Sequence, residues 1–206
     1  MESFVCTKEE IKQLEKATIE REKIDSFTLM NRASKRLFEY ILNENLVEEN
    51  SRILVFAGLG NNGGDALVLA HMLASSGYLV KVIGLGNRKK ASPENKQAFK
   101  MLENTVEVRI LEEVSGIEDL HTLLRASDII IDGLFGVGID RPLDSPFKEA
   151  VEHINFSGKT VISIDMPSGV NADNGLKEGG AVYASHTLIV GAYKPGNLLG
   201  DALDTH

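Results

Sequence analysis

A chain of 206 residues, 43% hydrophobic and 25% charged, has room for one sizeable domain that buries about 70% of its unfolded surface, and it is too apolar to be disordered. Its 22 basic residues against 30 acidic ones give a net charge of -8 with no basic stripe, which argues against nucleic acid as a partner; the densest basic run, Arg88-Lys89-Lys90, reads as a solvated loop. Cys6 is the single cysteine, and the first residues show neither a basic start nor a long apolar run, so a disulfide framework, export and membrane spanning find no support and a reducing cytoplasm is the expected setting.

In chain order, Thr7-Lys8-Glu9-Glu10 has the form of a capping box, and Ile11, Leu14 and Thr18 keep helical spacing behind it. A second helix is predicted from near Ser26 through Leu29, Met30, Ala33, Leu37, Phe38 and Ile41. From Ile53 onward short apolar runs alternate with helical patterns. ILVFA reads as a strand, residues 65–76 as a helix, LVKVIG as a second strand, and Ser92-Pro93-Glu94 as the N-cap of a helix reaching about Glu103. VEVRIL is a third strand, residues 117–125 a helix, IIID a fourth strand, residues 146–154 a helix, TVISID a fifth strand and TLIVGA a sixth. Strands apolar on both faces and alternating with helices predict an α/β fold. It is a Rossmann-like, doubly wound, mainly parallel sheet covered on both sides, with an N-terminal helical extension, in one domain over residues 1–206.

In such sheets ligands bind outside the carboxyl ends of the strands. Three loops should therefore share one edge: Gly58 to Asp65 after the first strand, Asp132 to Gly138 after the fourth, and Asp165-Met166-Pro167-Ser168-Gly169 after the fifth. Gly58, Gly60 and Gly63 satisfy G-x-G-x-x-G, a weak signal alone, which permits a tight turn and lets backbone N–H groups face an anion. Asp65 reads as an N-cap of the following helix, while Asn61, Asn62, Gly63 and Gly64 look like a surface that hydrogen-bonds a polar ligand. No Lys-Ser/Thr pair follows Gly64, which excludes a P-loop, and Gly84-Leu85-Gly86 stands where a dehydrogenase would carry its ribose-binding acid. Asp132 and Asp165 each end an apolar strand; two carboxylates near one site need either a cation between them or a proton on one, so a metal site and a general acid/base both stand open. The candidate ligands are hard oxygens, from Asp132, Asn62, Ser168 and loop carbonyls, which favours a group-I or group-II cation over zinc.

The segments GNNGGDALV, DGLFGVGIDRPL, IDMPSGVNADNG and YKPGN, in that order and at these separations, resemble the NAD(P)H-hydrate epimerases, with LMNRAS similar to the early helix motif of that family. The resemblance covers nearly the whole chain. It implies a metabolite-repair isomerase that interconverts the R and S epimers of hydrated NADH and NADPH (NADHX, NADPHX) at C6 of the nicotinamide ring. The S form would then pass to an ADP- or ATP-dependent dehydratase, separate or fused. The implied cofactor is potassium, held by Asn62, Asp132 and Ser168. The implied substrate-binding residues are Asn61, Asn62, Gly63, Gly64 and Asp65; Gly136, Val137, Gly138, Ile139, Asp140, Arg141 and Pro142; and Asp165, which is also the expected catalytic group. A homodimer is a further expectation. In this family the domain continues past the stretch resembling LGDALDTH, so truncation, or excision from a longer protein bearing the dehydratase, is expected. Ala33-Ser34 replaces the usual Ala-Gly, Asn31 stands where an acidic residue is common, and Glu20-Arg21-Glu22-Lys23 is unusually charged; all are expected to lie away from the three loops.

The five histidines, His71, His121, His153, His186 and His206, are scattered and read as structural or surface residues. Lys194 could reach a ligand phosphate, Arg141 likewise, and Phe135 is expected to pack beneath its loop. Two rivals are an NADP-dependent oxidoreductase using Arg88, Lys89 and Lys90 for the 2′-phosphate, and a non-catalytic binding module of the same fold.

Overall fold

The computed structural model describes residues 4–102, 105–111, 117–139, 141–177 and 179–200. Six strands, β1 (Arg52–Ala57), β2 (Leu79–Leu85), β3 (Glu107–Leu111), β4 (Ile129–Gly133), β5 (Thr160–Ile164) and β6 (His186–Leu188), form one sheet in the order β3-β2-β1-β4-β5-β6. Every pairing is parallel. The order reverses between β1 and β4, and this is the topological switch point at which open α/β sheets hold their ligands.

The helices are α1 (Lys8–Glu22), α2 (Ser26–Asn43), α3 (Asn61–Ser75), α4 (Pro93–Leu102), α5 (Ile117–Ala126) and α6 (Phe147–Phe156). The predicted capping box is present: the Thr7 hydroxyl accepts the Glu10 N–H, and the Glu10 carboxylate accepts the Thr7 N–H at 2.7 Å. The Asp25 carboxylate caps α2 by accepting the Thr28 N–H at 2.6 Å. Each side of the sheet has its own core. Val55, Ile131 and Ile162 pack with Leu67, Ala70 and Leu73 of α3 and with Met30, Leu37 and Ile41 of α2 on one side. On the other, Leu54, Phe56 and Ile130 pack with Leu120 and Leu124 of α5 and Ala150, Val151 and Ile154 of α6. Both faces of β1 and β4 are thus dry, as their unbroken apolar runs require, and full burial of each Leu, Ile or Val contributes about 1.5–3 kcal/mol.

Two elements differ from expectation. Helix α3 starts at Asn61, four residues before the predicted start, with Gly60 as its N-cap. The predicted sixth strand shrinks to three residues, because beyond Leu188 the chain is taken up by side chains: the Val190 N–H donates to Asp165 Oδ1 and the Val190 carbonyl accepts from Lys194 Nζ. No helix among the described residues is long and apolar enough to cross a membrane.

Candidate active site

The loop after β1 owes its glycines to the protein itself. A Cβ on Gly58 would sit 2.0 Å from the Leu134 carbonyl oxygen, and one on Gly63 would sit 2.2 Å from the Gly58 carbonyl oxygen. One on Gly64 would strike the Met30 side chain at 2.6 Å, whereas Gly60 faces open space. The expected close approach of backbone is therefore real, but the thing approached is another loop at Gly58 and the start of its own loop at Gly63. Asn95 of α4, which sequence reasoning did not single out, is wholly buried and donates from Nδ2 to the carbonyls of Gly58 (3.0 Å) and Gly60 (2.8 Å), clamping the loop from behind. With Gly60 as N-cap and no side chain capping it, the first turn of α3 directs its N–H groups into the crevice between β1 and β4. Asp65 is the fifth residue of α3, not its N-cap.

Asp132, the next-to-last residue of β4, has no exposed surface. Its Oδ1 accepts from the Ser168 hydroxyl (2.6 Å) and the Leu134 N–H (3.2 Å), and its Oδ2 from the Ser163 hydroxyl (2.8 Å) and the Ser168 N–H (2.9 Å). Burial pushes its carboxyl up, and these four neutral donors pull it back only in part. Ser168 stands in the predicted tight turn: the Val170 N–H donates to the Pro167 carbonyl at 3.0 Å, and Gly169 has φ +101° because a Cβ there would meet the Gly180 carbonyl at 2.0 Å. The Ser168 hydroxyl also accepts the Phe135 N–H at 2.9 Å, which ties the second loop to the third.

Asp165 is set by strain and by an ion pair. It follows β5 in the left-handed region, at φ 69°, a conformation that costs a residue with a Cβ about 1–2 kcal/mol. Its N–H donates to the Leu188 carbonyl at 2.8 Å. Its Oδ1 accepts from the ammonium of Lys194, which has no exposed surface, and at 3.3 Å from the Val190 N–H. Oδ2 faces the second loop, where a Cβ on Gly136 would come 3.1 Å from Asp165 Oδ2 and 3.2 Å from Asn62 Cγ. The bare backbone of Gly136 is thus what separates the Asn62 amide from the Asp165 carboxylate.

These groups border a cavity of about 630 Å³, lined by Asn61, Asn62, Asp65, Asp165 and Lys194 together with Gly136, Val137, Gly138, Ile139, Arg141 and Pro142 of the second loop. Asp132 and Ser168 lie one layer below, joined to it through Phe135. Gly63 and Gly64 are buried in packing contacts and do not line it; Asp140 lies outside the described residues. Asp65 is half-buried by surface, yet its carboxyl is pushed well above the usual carboxylate range, first by desolvation and then by the charge of Asp165. The Ser34 hydroxyl, 3.3 Å from Asp65 Oδ1, opposes that shift, so Ser34 is in contact with the first loop, contrary to expectation. Glu15 of α1, at the rim of the cavity, is pushed up by burial and by Asp165.

The Asp65 shift has a measurable consequence. A carboxyl whose folded pKa is raised contributes stability that is complete below its unfolded pKa, about 4, and is lost as pH rises through the folded value. Asp65→Asn cannot ionise. Its Tm relative to the native chain is expected to climb as pH goes from about 4 to 7 and to level off below about 4; a Tm difference independent of pH would contradict the assignment.

Other expectations need correction. Lys194 does not reach outward to a phosphate, since it is spent on Asp165. Arg88 lies 4.4 Å over the Phe99 ring with Nη1 buried and no hydrogen-bond partner, and it does not border the cavity, so it is not placed to read a 2′-phosphate there. Phe135 packs edge-on against Phe147 at 4.8 Å, as expected, and also borders the cavity. His121 and His153 meet edge to face on the helices α5 and α6, away from the cavity.

A parallel sheet with strand order 3-2-1-4-5-6 and a cavity bordered by a few polar groups over its switch point is a Rossmann-like arrangement. Residues 26–196 match the family described as YjeF-related protein N-terminus. The chain is 33% identical to the NAD(P)H-hydrate epimerase of Limosilactobacillus reuteri, covering 95% of this chain and 88% of that one. It is 37% identical to the NAD(P)H-hydrate epimerase of Oenococcus oeni over 87% and 81%. The Bifunctional NAD(P)H-hydrate repair enzyme Nnr of Dictyoglomus turgidum is 36% identical over 97% of this chain, which spans only 38% of that protein's length. The crystal structure of yeast ynu0 superposes with a TM-score of 0.81 at 23% identity over 95% of this chain and 83% of that one, a likeness of fold. The chain belongs to the NAD(P)H-hydrate epimerase family.

Proposed function

We propose that this chain is an isomerase interconverting the R and S epimers of hydrated NADH and NADPH at C6 of the nicotinamide ring. The observation that carries the reading is the meeting, across Gly136, of the Asp165 carboxylate and the Asn62 amide at the mouth of the switch-point crevice. The C6 hydroxyl sits on a carbon bonded to the ring nitrogen. Protonation of that hydroxyl lets the nitrogen lone pair expel it as water, leaving a planar iminium; water then adds to the other face and gives up a proton. No electron leaves the ring, so a proton donor and acceptor suffice. Asp165 Oδ2, turned into the cavity, is the group for that transfer, and the open first turn of α3 suits the anionic end of the substrate.

Asn62, Asp132 and Ser168 would hold a potassium ion. The fit rests on chemistry in the fold: Asp132 is a buried carboxylate whose partners among the described residues are all neutral, and Asn62 Nδ2 is buried without a partner. Turning that amide over puts an oxygen in its place, completing a set of hard donors. Such an ion supplies positive charge that offsets the buried carboxylate. The S epimer would pass to a dehydratase, separate or on the same polypeptide, a reading supported by the relative named a bifunctional repair enzyme. The test is a coupled assay: R epimer, this chain and an S-specific dehydratase, with potassium or with choline as the only monovalent cation, followed by return of the reduced coenzyme's absorbance. No acceleration over the chain-free rate, with ligand binding intact, would turn the reading to a binding module.

A further inference from the structure

Lys194 is among the largest side chains with no exposed surface at all, and its ammonium has left water for two partners, Asp165 Oδ1 and the Val190 carbonyl at 2.8 Å. Stability alone does not account for it, because replacing a buried ion pair by apolar groups of similar volume is often neutral or stabilising. Geometry does. The Lys194 N–H donates to Asn197 Oδ1 at 2.8 Å, and Asn197 Nδ2 in turn lies 2.8 Å from Met166 Sδ and 3.4 Å from the Asp165 carbonyl. The Tyr193-Lys194-Pro195-Gly196-Asn197 segment therefore grips residue 165 twice, by backbone and by carboxylate. Gly196 seats the segment against residues 171–172, since a Cβ there would collide with the Asn171 carbonyl at 2.1 Å. Among the described residues the bonds to the carboxylate fall on Oδ1, from Lys194 and Val190, while Oδ2 is the oxygen that faces Gly136.

We propose that Lys194 is a positioning residue for this site, anchoring Asp165 through Oδ1 so that Oδ2 is presented to the reacting C6 substituent. The assignment rests on the epimerase reading for its kinetic expression but not for its geometry. Lysine is matched to the task because its compact ammonium can bond one carboxylate oxygen and a carbonyl together, whereas a guanidinium would favour both carboxylate oxygens.

The test has two arms. In the coupled assay, Lys194→Met is expected to lower kcat by about 100-fold or more while KM stays within about threefold, since the side chain acts through Asp165 and not on substrate binding. In Lys194→Ala, propylammonium is expected to restore kcat at least about tenfold in a saturable way and propanol to leave it unchanged. An unaltered kcat in Lys194→Met, or equal rescue by the alcohol, would overturn the proposal, the latter by marking the residue as packing only. The second arm needs no turnover. The carboxyl ¹³C resonance of Asp165, assigned by its disappearance in Asp165→Asn, is expected to shift in Lys194→Met and to stay in place in Lys148→Met. A resonance that does not move sinks the assignment even if the native chain proves to be no epimerase. Conversely, a shifted resonance in a chain without epimerase activity would retain the anchor and remove the reaction.

Discussion

Asp165→Asn is expected to reduce R-to-S conversion by about 10²–10⁴-fold, the range over which a positioned proton-transfer group acts. The amide keeps the shape of the side chain and still offers an oxygen to Lys194, but it can neither take nor give the proton that departure and return of water require. The substitution also leaves the Lys194 ammonium buried without a counter-charge, which for a broken buried pair costs about 3–5 kcal/mol. Loss of rate must therefore be separated from loss of fold. The double variant Asp165→Asn/Lys194→Met removes both charges and is expected to recover most of the lost Tm while recovering none of the rate. If the double variant regained turnover, or if Asp165→Asn alone converted the R epimer at the native rate, Asp165 would not be the proton-transfer group.

The second large effect is expected at Asp132. Its carboxylate organises four donors, from Ser163, Ser168 (twice) and Leu134, in a place with no water-exposed surface. Asparagine offers one acceptor oxygen, and its NH₂ must confront a fixed backbone N–H, of Leu134 or of Ser168, whichever oxygen it replaces, while the Ser168 hydroxyl can still turn to the Phe135 carbonyl at 3.2 Å. Leaving even one or two of them unsatisfied costs about 1–3 kcal/mol each, so Asp132→Asn should lower stability by about 2–5 kcal/mol by chemical denaturation. It should also abolish any difference in Tm between potassium and choline buffers, whereas the native chain should be the more stable in potassium because an ion bound only by the folded state stabilises it by mass action. A native Tm indifferent to the cation would remove Asn62, Asp132 and Ser168 as an ion site and leave Asp132 a structural hub.

Much of the fold is legible in the sequence because dryness leaves a mark. ILVFA and the three isoleucines of IIID are apolar at consecutive positions, the mark of a strand covered on both faces, and both strands lie at the centre of the sheet. The shared edge of the three loops follows from parallel strands alone. What escaped sequence reasoning depends on contacts between distant segments. Asp65 reads as an N-cap, so α3 is predicted to start there, after the two adjacent glycines. In the fold, Gly63 and Gly64 are helical because Gly58 and Met30 press too close for any side chain, a case of packing overriding propensity. Asn95 and Ser34 touch the first loop from other helices, and nothing in their own neighbourhood announces it. Lys194 is 29 residues from Asp165 and reads from the sequence as a lysine that could reach a ligand phosphate, not as a carboxylate's partner; the local hint is that YKPGN follows a strand at the same sheet edge.

The fastening of the loops to one another bears on how a ligand is met. Gly58 donates to the Gly133 carbonyl at 3.1 Å, the Ser168 hydroxyl holds the Phe135 N–H, and the Asn95 amide bridges two carbonyls, so each of the three loops is tied to a neighbouring segment, by main chain or by a buried side chain. Freedom in this region is surrendered once, as the polypeptide folds, and little is left to forfeit on each encounter. Amide hydrogen exchange at Gly58, Gly64, Leu134 and Phe135, whose N–H groups are bonded within the fold, should accordingly be slow already in the ligand-free protein, and calorimetry of nucleotide association should carry little of the entropic signature of disorder turning to order.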